Sequence, residues 1–153
     1  MLILAIDPGT TQSGWVLLDG ERVVSSGVEP NEQVLHRIKA SAADRLAVEM
    51  IASYGMAVGR EVFATCVWVG RFQQAWRDPE AVRLVYRKDV KRHLCGGGDG
   101  EPWTKATDAN VKKALIDLLG PQGTKKAPGP TYGVSSHAWA ALGVAVVAGR
   151  AAA

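Results

Sequence analysis

Cysteine is scarce. Cys66 and Cys95 are the two in 153 residues, too few for a disulfide framework and too isolated for a zinc site. A reducing cytoplasm is the expected setting. No run of about 18 uncharged apolar residues occurs, which excludes a membrane-spanning helix. No basic segment precedes the first apolar run, and Asp7 interrupts that run, so the opening residues do not read as a secretory signal. Internal repeats are also missing. What remains is an ordinary globular balance, 47% hydrophobic and 22% charged, with apolar material for one core and no room for a second domain of comparable size. Residues 1–150 are expected to form a single domain, followed by a frayed tail at 151–153.

Charge is unevenly spread. The net charge is +3, yet residues 1–82 carry 7 basic and 10 acidic side chains, and residues 83–153 carry 11 basic and 5 acidic. A basic half joined to an acidic half suits a polyanion met by one face. A solvated lysine-rich surface has the same composition, so charge alone leaves both readings open.

Hydrophobic periodicity gives an α/β pattern. Residues 2–6 are an apolar run read as a buried strand, and Asp-Pro-Gly-Thr at 7–10 ends it with turn chemistry. Residues 15–18 and 22–26 make two more strands around the hairpin signal Asp19-Gly20. A helix opens at Pro30 or Asn31, with Val34, Leu35 and Ile38 on one face. Residues 45–49 form a fourth strand. A long helix is expected from about 56 to 76, with the stripe Val58, Val62, Cys66, Val69, Phe72 and Trp76. Phe72 is placed at its exposed end. Val82, Leu84 and Tyr86 alternate as a fifth strand, and a short helix spans 89–94. A glycine-rich loop occupies 95–105. Thr107 or Asp108 caps a helix that turns Val111, Leu115, Leu118 and Leu119 inward. Residues 120–134, with four Gly and three Pro, form another loop. Ser135 or Ser136 caps a last apolar helix through 147. Three antiparallel strands followed by parallel strands and crossover helices make one mixed five-stranded sheet, covered by helices on both faces.

The chemistry resides in acids at strand ends. Asp7 directly follows an apolar strand, at the rim where side chains converge on a cleft. Glu49 repeats this after Leu46-Ala47-Val48. An acid embedded in an apolar run costs several kcal/mol unless a cation or donor meets it. Two such acids on neighbouring strands suit a shared metal ion, and Mg²⁺ matches carboxylate oxygen best. Two satisfied polar groups, Asp7 holding its own turn and Glu49 pairing with an arginine, are the other reading. His137 stands alone in an otherwise apolar helix start. It is open to a structural role or to service as a third ligand through neutral imidazole.

These residues resemble a family. The segment from Ile3 to Gly14, with Ile6-Asp7-Pro8-Gly9-Thr10-Thr11 at its centre, resembles the opening of the RuvC-type Holliday junction resolvases. Leu46-Ala47-Val48-Glu49 resembles their second acidic motif, and the segment from Ser136 to Ala145 their closing helix. The short length, the segment from Asp89 to Gly96 and Asp108-Ala109-Asn110-Val111 look most like bacteriophage-encoded members. The likeness runs in order from residue 3 to residue 147. It implies an RNase H-like fold and a divalent-metal endonuclease, with two Mg²⁺ ions flanking the scissile phosphate. Asp7 would bridge both ions, Glu49 would bind one, and His137 matches a position that is Asp or His in the family. If phage-encoded, the protein would act in the host bacterial cytoplasm.

Ala140 departs from the pattern, because the family usually has Asp three residues after this His. Three explanations compete: an inactivated form from which that Asp has been removed, a branch working with fewer carboxylates into which Asp108 swings, or a protein that binds junctions without cutting them. With Asp7, Glu49 and His137 retained, residual Mg²⁺- or Mn²⁺-dependent cutting is expected. Mn²⁺ should be the better activator, because imidazole favours it.

The basic half fits branched DNA, four-way junctions above all. Arg87, Lys88, Lys91 and Arg92, then Lys105, Lys112, Lys113, Lys125 and Lys126, are the expected phosphate contacts. Trp103 is placed either on an unpaired base or against its own loop. Trp15, Trp68 and Trp76 are assigned to the core or an interface. A two-fold junction needs two matched cuts, and the resemblance implies a homodimer. The long helix is either that interface or a buried core helix. The opening motif also resembles the first phosphate loop of actin-like sugar kinases, but those need two such domains. Cleavage of RNA in RNA–DNA hybrids is a further alternative.

Overall fold

The computed structural model describes residues 1–96 and 103–150. Gly97 and Gly98 of the glycine-rich loop, and the tail at 151–153, lie outside the described residues. The strands are β1 (Leu2–Asp7), β2 (Gln12–Asp19), β3 (Arg22–Pro30), β4 (Arg45–Met50) and β5 (Arg83–Tyr86). The helices are α1 (Asn31–Ala40), α2 (Arg60–Ala75), α3 (Arg87–Cys95), α4 (Asp108–Leu119) and α5 (Ala138–Arg150). Short 3₁₀ turns occupy Pro79–Ala81 and Trp103–Lys105. The sheet order is β3-β2-β1-β4-β5. β1–β2 and β2–β3 are antiparallel, whereas β1–β4 and β4–β5 are parallel. This is the mixed sheet expected from the sequence.

Strand side chains alternate between faces, so each central strand feeds two cores. Leu4, Ile6, Leu46 and Val48 pack with α1 and α2 through Val34, Ile38, Val69 and Phe72. Ile3, Ala5, Ala47 and Val85 pack with α3, α4 and α5 through Val90, Leu115, Leu142 and Val144. Thr107 caps α4 with a reciprocal box, its side chain accepting from the Asn110 amide while Asn110 accepts from the Thr107 amide. Leu118 and Leu119 are partly buried there.

Three expectations need correction. α2 starts at Arg60, after the extended Gly59, because residues 56–59 present no face to the core and Met56 is exposed. Phe72 is not at an exposed end: it is wholly buried against the sheet. In β5 the buried residue is Val85, while Leu84 and Tyr86 are partly exposed. Alternation reveals the period of an edge strand but not which face a helix covers.

Candidate active site

Register places the two acids side by side. In the parallel β1–β4 pair Ile6 lies opposite Val48, so the next residues, Asp7 and Glu49, leave adjacent strands together. They follow Ala5 and Ala47 by two residues and therefore share the face covered by α5. Beyond the end of β5, Arg87 opens α3 beside them.

The third element arrives by close backbone approach. Asp7 pairs with Gly14 in the β1–β2 ladder. A methyl group on Gly14 would lie 2.5 Å from the His137 carbonyl oxygen and 2.9 Å from its Cβ. Only hydrogen at that position lets the turn before α5 rest on the sheet. The same turn holds Ser136 at φ 50, the sparsely populated left-handed region, which costs free energy that surrounding structure must offset. His137 Nδ1 consequently stands 3.4 Å from Asp7 Oδ2. Its side chain is 65% exposed, against 17% for Asp7. Ala140 follows one turn later, half-buried, on the helix that begins at Ala138.

Burial dominates the electrostatics of both acids. Burial raises the Asp7 carboxyl above its ordinary range, opposed by His137 and Arg87. Glu49 is pushed up to about 7, first by burial and then by the charge of Asp7, against the pull of Arg87. The Glu49 side chain is 12% exposed, and Arg87 Nη1 stands 3.9 Å from its Oε2. That oxygen is buried and has no hydrogen-bond partner. Arg87 turns its other nitrogen, Nη2, to Asp108 at the start of α4. Among the described residues, no three His, Cys, Asp or Glu side chains close around one point as in a formed metal centre. The donor chemistry nevertheless fits a hard divalent cation: two adjacent carboxylates whose pKa values burial raises, one buried oxygen unsatisfied, and an imidazole alongside.

The loop after Asp7 is fixed from behind. Asn31 and Ser13, both buried, form a closed set of hydrogen bonds. Ser13 Oγ donates to Asn31 Oδ1 at 2.6 Å, and Asn31 Nδ2 donates to the Gly9 carbonyl at 3.0 Å. The Gly9 amide donates to Ser13 Oγ at 3.2 Å. Residues 7–12 and His137 line an open cavity of about 330 Å³ in front of this support.

The expected DNA contacts divide. Lys125 and Lys126 occupy the exposed centre of a tight turn closed by two Thr124–Ala127 backbone hydrogen bonds, with a bridge from Gly123 to Pro128. Lys88 and Arg92 are exposed on α3, and Lys91 lies close enough to lower the Glu49 pKa. Lys105 is exposed, and the turn holding half-buried Trp103 packs against α3. Lys112 lies over the Trp139 ring at 5.1 Å. Lys113 is paired with Asp117 at 2.7 Å, and Arg87 is held between two acids. Trp15 and Trp76 are core residues and Trp68 is half-buried.

Gly14, Asn31 and the Arg87–Asp108 pair were not singled out as a unit by the sequence. Gly14 lies just before the strand expected at 15–18, so its place inside β2 and its close approach to His137 were not legible. The pairing of residues 87 and 108, across a loop, had no signal either.

No family model matches the chain, and no curated protein sequence matches it. Among solved structures, the chain is similar to Thermus thermophilus RuvC, with 21% identity and a TM-score of 0.70 over 99% of this chain and 95% of that one. It is also similar to T. thermophilus RuvC in complex with a Holliday junction substrate, with 22% identity and a TM-score of 0.68 over 99% and 94%. The chain therefore has the RuvC-like, RNase H-like fold, with Asp7, Glu49 and His137 brought to the carboxyl ends of its central strands.

Proposed function

We propose that the chain is a divalent-metal-dependent endonuclease that resolves Holliday junctions and other branched DNA by phosphodiester hydrolysis. The observation that carries this reading is the pair of adjacent strand-end acids, Asp7 and Glu49, with one buried oxygen unsatisfied and His137 alongside. Residues 1–150 would act as one nuclease domain, and the short motifs at 89–96 and 108–111 support the reading of a bacteriophage-encoded member acting in the host cytoplasm. No helix among the described residues is long and apolar enough to cross a membrane.

Asp7, Glu49 and His137 would hold Mg²⁺ or Mn²⁺. Such a cation, when bound, polarises the scissile phosphate and lowers the pKa of the attacking water. The protein's own groups do the rest. The Asp7 contact at Nδ1 orients the imidazole and leaves Nε2 free to face the cation. Glu49 must lose its proton to accept a cation, so its pKa of about 7 makes binding tighten as pH rises through neutrality. The Asn31–Ser13 network holds the 8–11 loop against the cavity in which a backbone phosphate would sit. Lys88, Arg92, Lys105, Lys112, Lys125 and Lys126 supply phosphate contacts without reading sequence.

The homodimer belongs to this proposal. Phe63 and Val67 stand 63% exposed on α2, one turn apart, with Tyr54 and Met56 also exposed just before the helix. An uncovered apolar strip of this kind suits a two-fold contact that sets two active sites at fixed spacing.

The test is cleavage of labelled four-way junctions, linear duplex and RNA–DNA hybrid in Mg²⁺ and in Mn²⁺. Metal-dependent cutting of the junction in preference to the others is expected, with Mn²⁺ the better activator. Preference for the hybrid would identify a ribonuclease. Tight, salt-sensitive junction binding without cleavage in either metal would favour the second reading, a non-catalytic junction binder, for which Ala140 is the specific observation.

A further inference from the structure

Among the described residues, Arg87 is the one cation within ion-pair distance of Glu49. Its guanidinium bridges two carboxylates from different elements: Glu49 at the end of β4 and Asp108 at the start of α4. The Asp108 carboxylate thus lies one guanidinium's width from that of Glu49. The two ends of the bridge are unlike. Glu49 Oε2 is buried and stands 3.9 Å from Arg87, beyond hydrogen-bond reach, whereas Asp108 is 84% exposed and in direct contact. Asp108 is not needed to cap α4, because Thr107 and Asn110 do that between themselves. Its position on the first turn leaves its carboxylate free to face Arg87 and, beyond it, the acids of the sheet.

We infer that Asp108 is a further cation-holding residue of this site, and that Arg87 is its resident counter-ion, which a divalent cation must displace. This rests on the metal-nuclease reading above and adds a residue from a separate helix. α4 would then be tied to the central strands through the bound ion, and Arg87, once displaced, would be available to a DNA phosphate. Ala140 gives α5 no acid on the turn after His137; Asp108 would supply a carboxylate from a separate helix. A carboxylate and a guanidinium compete differently with a divalent ion, so the two residues should have opposite effects. Removing Arg87 removes a positive charge from the cation's position and should tighten binding. Removing the Asp108 carboxylate should weaken it.

The experiment is Mn²⁺ binding to the full chain without DNA, at pH 8, followed by electron paramagnetic resonance and by calorimetry. Asp7→Asn is the reference for a disabled site, and thermal melts check that each variant is folded. Asp108→Asn should weaken Mn²⁺ binding by about tenfold or more, Asp108→Glu should recover most of it, and Arg87→Gln should tighten it several-fold. The decisive comparison is Arg87→Gln/Asp108→Asn with Arg87→Gln alone. A loss of about tenfold in the double variant assigns the carboxylate to the cation. Equal affinity would mean that Asp108 acts only by drawing Arg87 away from Glu49, and would overturn the inference while leaving the site intact. Wild-type binding no tighter than that of Asp7→Asn would overturn the metal-nuclease reading and this inference with it.

Discussion

The two faces of the sheet are built from different materials. The face under α1 and α2 is aromatic: Trp15, Phe72 and Trp76 are buried there, and arginines lie flat on the rings, Arg37 over Trp15, Arg71 over Trp68 and Arg77 over Trp76. The face under α5 is small: Ala5 and Ala47 on the strands meet Ala138, Ala141, Val144, Ala145 and Ala148 on the helix. Large rings fill space and hold the sheet in shape. Small residues let a helix backbone come down onto the strands. A methyl group on Gly149 would lie 3.1 Å from Ile3 Cδ1 on β1, and Gly143 makes similar room for α3, where a methyl group would lie 2.8 Å from Val90 Cγ1. The acids emerge on the small-residue face, where a helix end can reach them. We therefore expect the aromatic face to serve stability alone and the small-residue face to serve the proposed site as well.

Crossing a substitution on each face separates these roles most sharply. Asp7→Asn should cut metal-dependent junction cleavage by roughly a thousandfold, a loss of several kcal/mol of transition-state stabilisation, with little change in melting temperature. Phe72→Ala should do the reverse, costing about 3–5 kcal/mol of stability in a denaturant titration while the folded fraction keeps its cleavage rate. Equal loss of activity per folded molecule in both would break the division.

Gly14→Ala tests close approach itself. Its methyl group would displace the His137 backbone, so cleavage should fall by about a hundredfold with modest loss of stability. Asn31→Ala removes the support of the 8–11 loop from behind. It should lower cleavage and leave unsatisfied the buried Ser13 hydroxyl, costing about 1–3 kcal/mol. Smaller again is a pH effect confined to the α5 face. Glu49 has a folded pKa raised from near 4.5 to about 7, so the folded state binds the extra proton between those values. The stability this confers is fully present below about 4.5 and lost as pH rises through about 7. Metal-free Glu49→Gln protein should therefore melt several degrees above wild type at pH 8, with the gap closing by pH 5, as followed by circular dichroism. No counterpart is expected for substitutions on the aromatic face.

The sequence was legible where periodicity and burial coincide. Residues 2–6, 31–38 and 111–119 were placed nearly as they are found, because their apolar spacing matches one covered face. Phe72 was misplaced because a stripe on a helix does not reveal how far the sheet extends beneath it. Val85 was missed because its neighbours in phase, Arg83 and Arg87, are charged, while the more apolar phase of Leu84 and Tyr86 is the exposed one. At the site, Asp7 and Glu49 were legible as acids interrupting apolar strands, and His137 as a polar residue in an apolar helix start. Arg87 was read as a phosphate contact, and its position between two carboxylates was not legible. Nothing in a linear pattern pairs a cation at a strand end with an acid 21 residues later on another helix.

Crystals soaked in Mn²⁺ and measured at the manganese absorption edge give the most direct view of the site. An anomalous peak in contact with both Asp7 and Glu49, and with His137 turned towards it, is the expected result. Peaks confined to surface carboxylates such as Glu61 or Asp117, with the Asp7–Glu49 pair left bare at saturating Mn²⁺, would contradict the assignment of these residues to a shared cation.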